Sequence, residues 1–218
     1  MSRKIVYHGS DHLIEKPIFH FKGSNKENDY GIGFYCTQNL DMAKEWADKE
    51  TSRGCVNKYE INESGLKILD LCDKEKYSVL NWLAILMHYR YISTENRIIY
   101  EKELTFLEKY FINVEEYDVV VGYRADDAYF RFPMMFVRGQ ISFERMEEIY
   151  LLGNLGKQYV LISEKSFKQI KFINMIPVEP IFHDRYVRRI ESANLKYFSL
   201  ERKESFNKEG HKIQDLIK

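Results

Sequence analysis

Three short pieces of this chain carry the residue types that chemistry requires. They are His8-Gly9-Ser10 after Ile5-Val6-Tyr7, Tyr35 within Gly31-Ile32-Gly33-Phe34-Tyr35-Cys36-Thr37, and Gln158 within Lys157-Gln158-Tyr159-Val160-Leu161. Each is an apolar, β-prone run with one polar or aromatic group at its edge. A lone histidine at a strand end is more often structural than catalytic, but a glycine directly after it lets a ligand approach the backbone closely. Tyr35, and Trp46 on the amphipathic segment that follows, offer flat surfaces to an aromatic ligand; the alternative is that both are core residues. Gly31 and Gly33, beside Tyr35, have no packing rationale in the sequence. Gln158 brings an acceptor and donor protons but neither charge nor a base. A fourth piece, Val119-Val120-Val121-Gly122-Tyr123-Arg124-Ala125-Asp126-Asp127, delivers a cation and two adjacent carboxylates into an aromatic-rich turn. Those groups either serve a ligand or form an Asp helix cap with an ion pair to Arg124.

In order and spacing these pieces resemble the His, Tyr and Glu motifs of the ADP-ribosyltransferase superfamily, whose members bind NAD in a cleft between two small sheets. The chain is also similar to a bacterial branch of that superfamily, the DUF3990 family, which shares the Tyr123-Arg124-Ala125-Asp126-Asp127 sequence; the resemblance covers residues 4–176. It implies an α+β fold with an ADP-ribosyltransferase-like split β-sheet, flanking helices and a helical C-terminal extension. It implies NAD as substrate and no metal. His8 would bond the adenine-side ribose, the Gly9 N–H and C=O would grip the nicotinamide carboxamide, and Ser10 would touch the same carboxamide. Tyr35 would stack on the nicotinamide ring, with Trp46 as a second aromatic against it. Arg124 would meet an NAD phosphate, and Asp126 or Asp127 an acceptor. Ala43 stands where some members carry a serine, so that contact is missing.

His8, Tyr35 and Gln158 form the implied catalytic set. Most active members carry glutamate where this chain has Gln158. The glutamate bonds the nicotinamide-ribose 2′-OH, offsets the charge of an oxocarbenium-like transition state and orients or deprotonates the acceptor. Gln158 keeps only the hydrogen-bonding part, so Gln158→Glu is expected to raise turnover. The implied activity is mono-ADP-ribosyl transfer to a protein or nucleotide acceptor, in a toxin or effector with a cognate antitoxin or regulator. Two other readings stand beside it: NAD hydrolysis, with water as acceptor, and a catalytically silent module that binds NAD or ADP-ribosyl ligands.

These residues must be held by a soluble globular scaffold. The chain has 218 residues, 44% hydrophobic and 30% charged, enough to bury a substantial core. With 16 Tyr and 14 Phe, extended disorder is not expected. Lys+Arg and Asp+Glu both total 33, so no bulk charge points to nucleic acid or an anionic membrane. No signal-peptide apolar region follows Ser2-Arg3-Lys4, and the longest apolar run, Trp82-Leu83-Ala84-Ile85-Leu86-Met87, is too short to span a bilayer. Cys36, Cys55 and Cys72 lack metal-ligand spacing and read as buried free thiols, which fits a reducing cytoplasm.

Strands are expected over 4–7, 34–37, 56–61, 66–70, 117–123, 158–163 and 170–176, where β-branched and aromatic residues concentrate. Asn39 or Asp41 should cap a helix running to Glu50. Residues 78–90 read as a helix buried between layers, 104–113 as another, and Ser142 as the cap of one through 152. Pro133 forbids an uninterrupted helix over 128–138. The polar, glycine-bounded stretch 23–31 reads as an exposed loop. Residues 1–180 form the expected NAD-binding domain, and 181–218 a docked helix with a tail that frays after Gly210.

Overall fold

In the computed structural model, residues 3–21, 26–47, 54–90, 97–125, 135–145, 156–201 and 210–217 are described. All of the expected strands form: β1 (Arg3–Ser10), β2 (Phe34–Thr37), β3 (Cys55–Asn62), β4 (Ile68–Asp70), β5 (Val119–Tyr123), β6 (Lys157–Leu161) and β7 (Ile170–Pro177). They make one mixed sheet in the order β4-β5-β6-β2-β1-β3-β7, parallel only between β4 and β5. The two-residue period of a strand sends alternate side chains to opposite faces. Val6, Cys36, Tyr59, Ile61, Val121, Tyr159 and Leu161 form the core on one face. Leu69, Val120 and Val160, with Tyr35 packed beside them, belong to the core on the other.

The split sheet that the sequence suggests is therefore a single seven-stranded ladder among the described residues, with its weakest joint in the middle. β1 pairs with β3 along its whole length, from Arg3↔Asn62 to Ser10↔Cys55. It pairs with β2 at one position, Tyr7↔Thr37. A continued register would set Gly9 opposite Tyr35. Instead, the Tyr35 carbonyl accepts from the His8 ring, Nδ1 to O at 2.6 Å. Strand pairing on either side is strong, while at this joint a side chain takes a bond that the backbone would otherwise supply.

Helix α1 (Leu40–Ala47) begins where expected, with the Asn39 side chain accepting from the Met42 N–H at 3.2 Å. Residues 48–50, over which it was expected to continue, lie outside the described residues. Helix α2 (Val79–Tyr89) has a reciprocal capping box between Ser78 and Asn81, and Trp82–Met87 are all buried. Helix α3 (Arg97–Tyr110) starts earlier than its apolar pattern suggests, since Glu101, Lys102 and Glu103 are good helix formers that extend it towards its N-terminus. Short α4 (Glu164–Lys168) is capped by Ser163. Long α5 (Ile181–Glu201) docks on α1 through Arg189 Nε to Glu45 Oε2 at 2.8 Å, and just before α5 Glu179 Oε2 accepts from Lys44 Nζ at 2.9 Å.

Two expectations are corrected. The tail does not fray after Gly210: α6 (Ile213–Leu216) buries Ile213 completely, and the Leu216 carbonyl accepts from Lys109 Nζ at 2.8 Å. A buried isoleucine and this bond to α3 anchor it. The stretch 23–31 is not simply exposed either, since Asp29 and Tyr30 at its end are 4% and 1% exposed. A helical turn does begin at 143 with Ser142 as its cap, but 146–155 and Pro133 lie outside the described residues.

Candidate functional site

The parting of β1 from β2 brings the first two motifs together. His8, at the end of β1, stacks on Phe34 with ring centroids 4.4 Å apart. Burial lowers its pKa, only partly countered by the bond to the Tyr35 carbonyl. A neutral ring that donates from Nδ1 must keep its lone pair on Nε2. His8 therefore offers an acceptor to any ligand that reaches it.

Gly9 has a structural reason of its own. A Cβ there would stand 2.1 Å from the Ala43 carbonyl oxygen and 2.8 Å from the Ala47 nitrogen, so glycine is what lets α1 lie directly on β1. Ser10 turns its hydroxyl towards Asp11 at 3.3 Å and accepts from the His12 N–H at 3.3 Å. The glycines of the second motif also gain a packing role. Gly31 takes φ +72° with the Tyr89 ring against it, and a Cβ on Gly33 would meet Val160 at 2.7 Å. Tyr35 ties this loop down, donating from its hydroxyl to the Gly31 carbonyl at 2.6 Å and accepting from the Tyr30 N–H at 3.1 Å.

Gln158, on β6, stands opposite Thr37 and Gly122 in the ladder. Its Nε2 donates to Asp29 Oδ2 at 3.2 Å, and its Oε1 is buried with no hydrogen-bond partner among the described residues. The same Asp29 oxygen accepts from the Ala125 N–H at 2.9 Å, and Oδ1 lies 3.5 Å from Arg90 Nε at the end of α2. Burial raises the Asp29 carboxyl to about 6, although Arg90, the Ala125 N–H, Arg124 and Gln158 all pull it down. A carboxylate thus does occupy this site, one hydrogen bond behind Gln158. Sequence reasoning missed it because Asp29 sits in a polar stretch that looks solvated. Its place directly before Tyr30-Gly31, at the head of the second motif, was the available signal.

Arg124 leaves β5 and lays its guanidinium 3.8 Å from the centre of the Trp46 ring, a cation–π contact. Arg124 is also close enough to Asp29 to pull its carboxyl down, and Trp46 Nε1 is a buried donor with no hydrogen-bond partner among the described residues. Asp126 and Asp127 lie outside the described residues. Tyr35 and Gln158 share one face of the sheet, while His8 and Phe34 share the other. Against that second face lies a cavity of 470 Å³, lined by His8, Ser10, His12, Phe19, Phe34 and Phe167. The loop forming its wall is held by Asn57, which accepts from the Ile14 N–H and donates to the His12 carbonyl. A neighbouring cavity of 660 Å³ shares Phe19, His20, Ile32 and Ile162 with it and reaches Tyr30 and Tyr89.

All three cysteines are free thiols, with Cys36 fully buried and Cys55 and Cys72 partly so. No cluster of metal-ligating side chains occurs among the described residues, and no helix there is long and apolar enough to cross a membrane. No curated protein and no solved structure matches this chain. A family model does, over residues 4–172, from the first strand into the last and through every motif above. That family is described as a protein of unknown function (DUF3990), and the chain belongs to it.

Proposed function

We propose that this protein binds NAD at the joint between β1 and β2 and is an ADP-ribosyltransferase-like enzyme that transfers ADP-ribose to a protein or nucleotide acceptor. The observation that carries the reading is the strand order. β6, β2 and β1 are adjacent, so Gln158, Tyr35 and His8 come from neighbouring strands although they are far apart in the chain. The ladder between β1 and β2 is limited to Tyr7 and Thr37, and the 470 Å³ cavity lies against the His8 side of this joint. His8 Nε2 and Gln158 Oε1 both offer acceptors, which suits a ligand rich in hydroxyls. The 470 Å³ cavity beside His8 falls within the range of about 300–1,000 Å³ usual for small-molecule sites, and its aromatic lining suits a flat ring.

On this reading Gln158 accepts from a ribose hydroxyl, and the Asp29 carboxylate supplies negative charge near the developing oxocarbenium. Charge placed in a buried site before the reaction stabilises such a transition state without reorganisation. A silent binding module is the second reading, favoured by the absence of a base at position 158 itself. Incubating the protein with labelled NAD and a cell lysate, while following label transfer and free nicotinamide, separates transfer, hydrolysis and binding alone. Calorimetry is the first step: Tyr35→Ala should weaken NAD binding by roughly 1–3 kcal/mol, through lost burial and ring contact. No heat of NAD binding to the folded wild type would remove the reading.

A further inference from the structure

The hydrogen bonding of Gln158 is half complete: Nε2 is bonded to Asp29, and Oε1 is buried without a partner among the described residues. An ionised carboxylate has only acceptors to offer. Turning the amide over would bring Oε1 against Asp29 Oδ2 at the present 3.2 Å, lone pairs against lone pairs. The Ala125 N–H and Arg90 hold that carboxylate in place, so it cannot turn away. Tyr35 adds a second restraint, gripping Tyr30 and Gly31 immediately after Asp29. Buried polar atoms in native proteins are nearly always bonded, so Oε1 calls for a hydrogen-bond donor that the described residues do not supply.

We propose that Asp29 is the positioning residue of this site: it holds the Gln158 amide so that Oε1 is the atom offered to ligand, and the ligand group meeting it is a hydrogen-bond donor such as a ribose hydroxyl. This inference rests on the NAD reading above for the identity of the ligand, but not for the fixed amide. The glutamine then serves as an acceptor only, and its two donor protons stay turned inward. Protonating Asp29 removes the constraint, because a carboxylic acid can donate to Oε1 and draw the amide the other way. The charged and titratable groups facing Asp29 are Arg90 from the end of α2, Arg124 after β5, Tyr35 from β2 and the adjacent Tyr30. Burial pushes both tyrosines well above their ordinary range, so they stay neutral while Asp29, at about 6, changes state.

The test combines a spectroscopic and a binding measurement on the full chain. The Gln158 side-chain amide is followed by nitrogen-edited NMR from pH 5 to 7.5, identified by its loss in Gln158→Ala. NAD affinity is measured by calorimetry at both ends of that range. In wild type the amide signals should titrate with the Asp29 midpoint, and NAD should bind about fivefold more tightly at pH 7.5, the size of one net hydrogen bond. In Asp29→Asn both responses should be flat. Should that variant not fold, the wild-type titration still decides. An amide that does not move with pH overturns the proposal, and so does NAD binding that is equally tight at both pH values. An amide that titrates in a protein that never binds NAD supports the fixed amide and overturns the NAD reading instead.

Discussion

Gln158→Glu is the natural attempt to restore the missing charge, and Asp29 changes what it should do. The new carboxylate would replace an amide nitrogen 3.2 Å from Asp29 Oδ2. At an effective dielectric constant near 20, two unit charges at that separation repel by about 5 kcal/mol, which Arg90 and Arg124 only partly offset. The pair should hold one proton between them at neutral pH, titrating as a unit. In the unfolded chain both carboxyls ionise near pH 4, so the folded state binds more protons and stability must fall as pH rises. Wild type should follow the same trend through Asp29: with a folded value of about 6, it loses about 1.4 kcal/mol between pH 5 and 8, most of it below pH 6.5. If the variant's pair keeps its proton to pH 8, it loses about 4 kcal/mol over pH 5 to 8. The difference, about 2–3 kcal/mol, corresponds to roughly 5–10 °C of extra fall in Tm for a chain of this size. Thermal unfolding of both proteins at pH 5, 6.5 and 8 measures it directly. Nicotinamide release in the same buffers should rise over wild type only as the shared proton is lost. A difference in Tm between variant and wild type that is constant across this range would refute the shared proton and the Asp29–Gln158 contact beneath it.

Two further predictions test the scaffold. Gly9→Ala should lower stability by about 1–3 kcal/mol in denaturant unfolding, because its Cβ would collide with the α1 backbone; unchanged stability with lost NAD binding would assign the glycine to the ligand alone. Ile213→Ala should cost about 2–4 kcal/mol by the same measurement, as expected for a fully buried side chain, whereas a loss near zero would mean that α6 lies outside the folding unit.

Much of this protein is legible along the chain because its causes are local. Alternation and β-branched residues mark every strand, and Asn39, Ser78 and Ser142 sit where side chains can cap the first turn of a helix. The order of His8, Tyr35 and Gln158 is likewise a property of the sequence. What lies against each of them is not. Asp29 and Gln158 are 129 residues apart, and only the pairing of β2 with β6 brings them within 3.2 Å. A polar loop residue and a buried carboxylate look alike until that packing is known. Gly9 has the composition of a ligand-binding glycine, yet the approach of α1 decides its contacts. The tail beyond Gly210 has no strong pattern of its own, and the surface of α3 determines that Ile213 is buried. Periodicity, caps and motif order depend on neighbours in sequence. Partners, burial and protonation depend on neighbours in space, which the tertiary fold alone assigns.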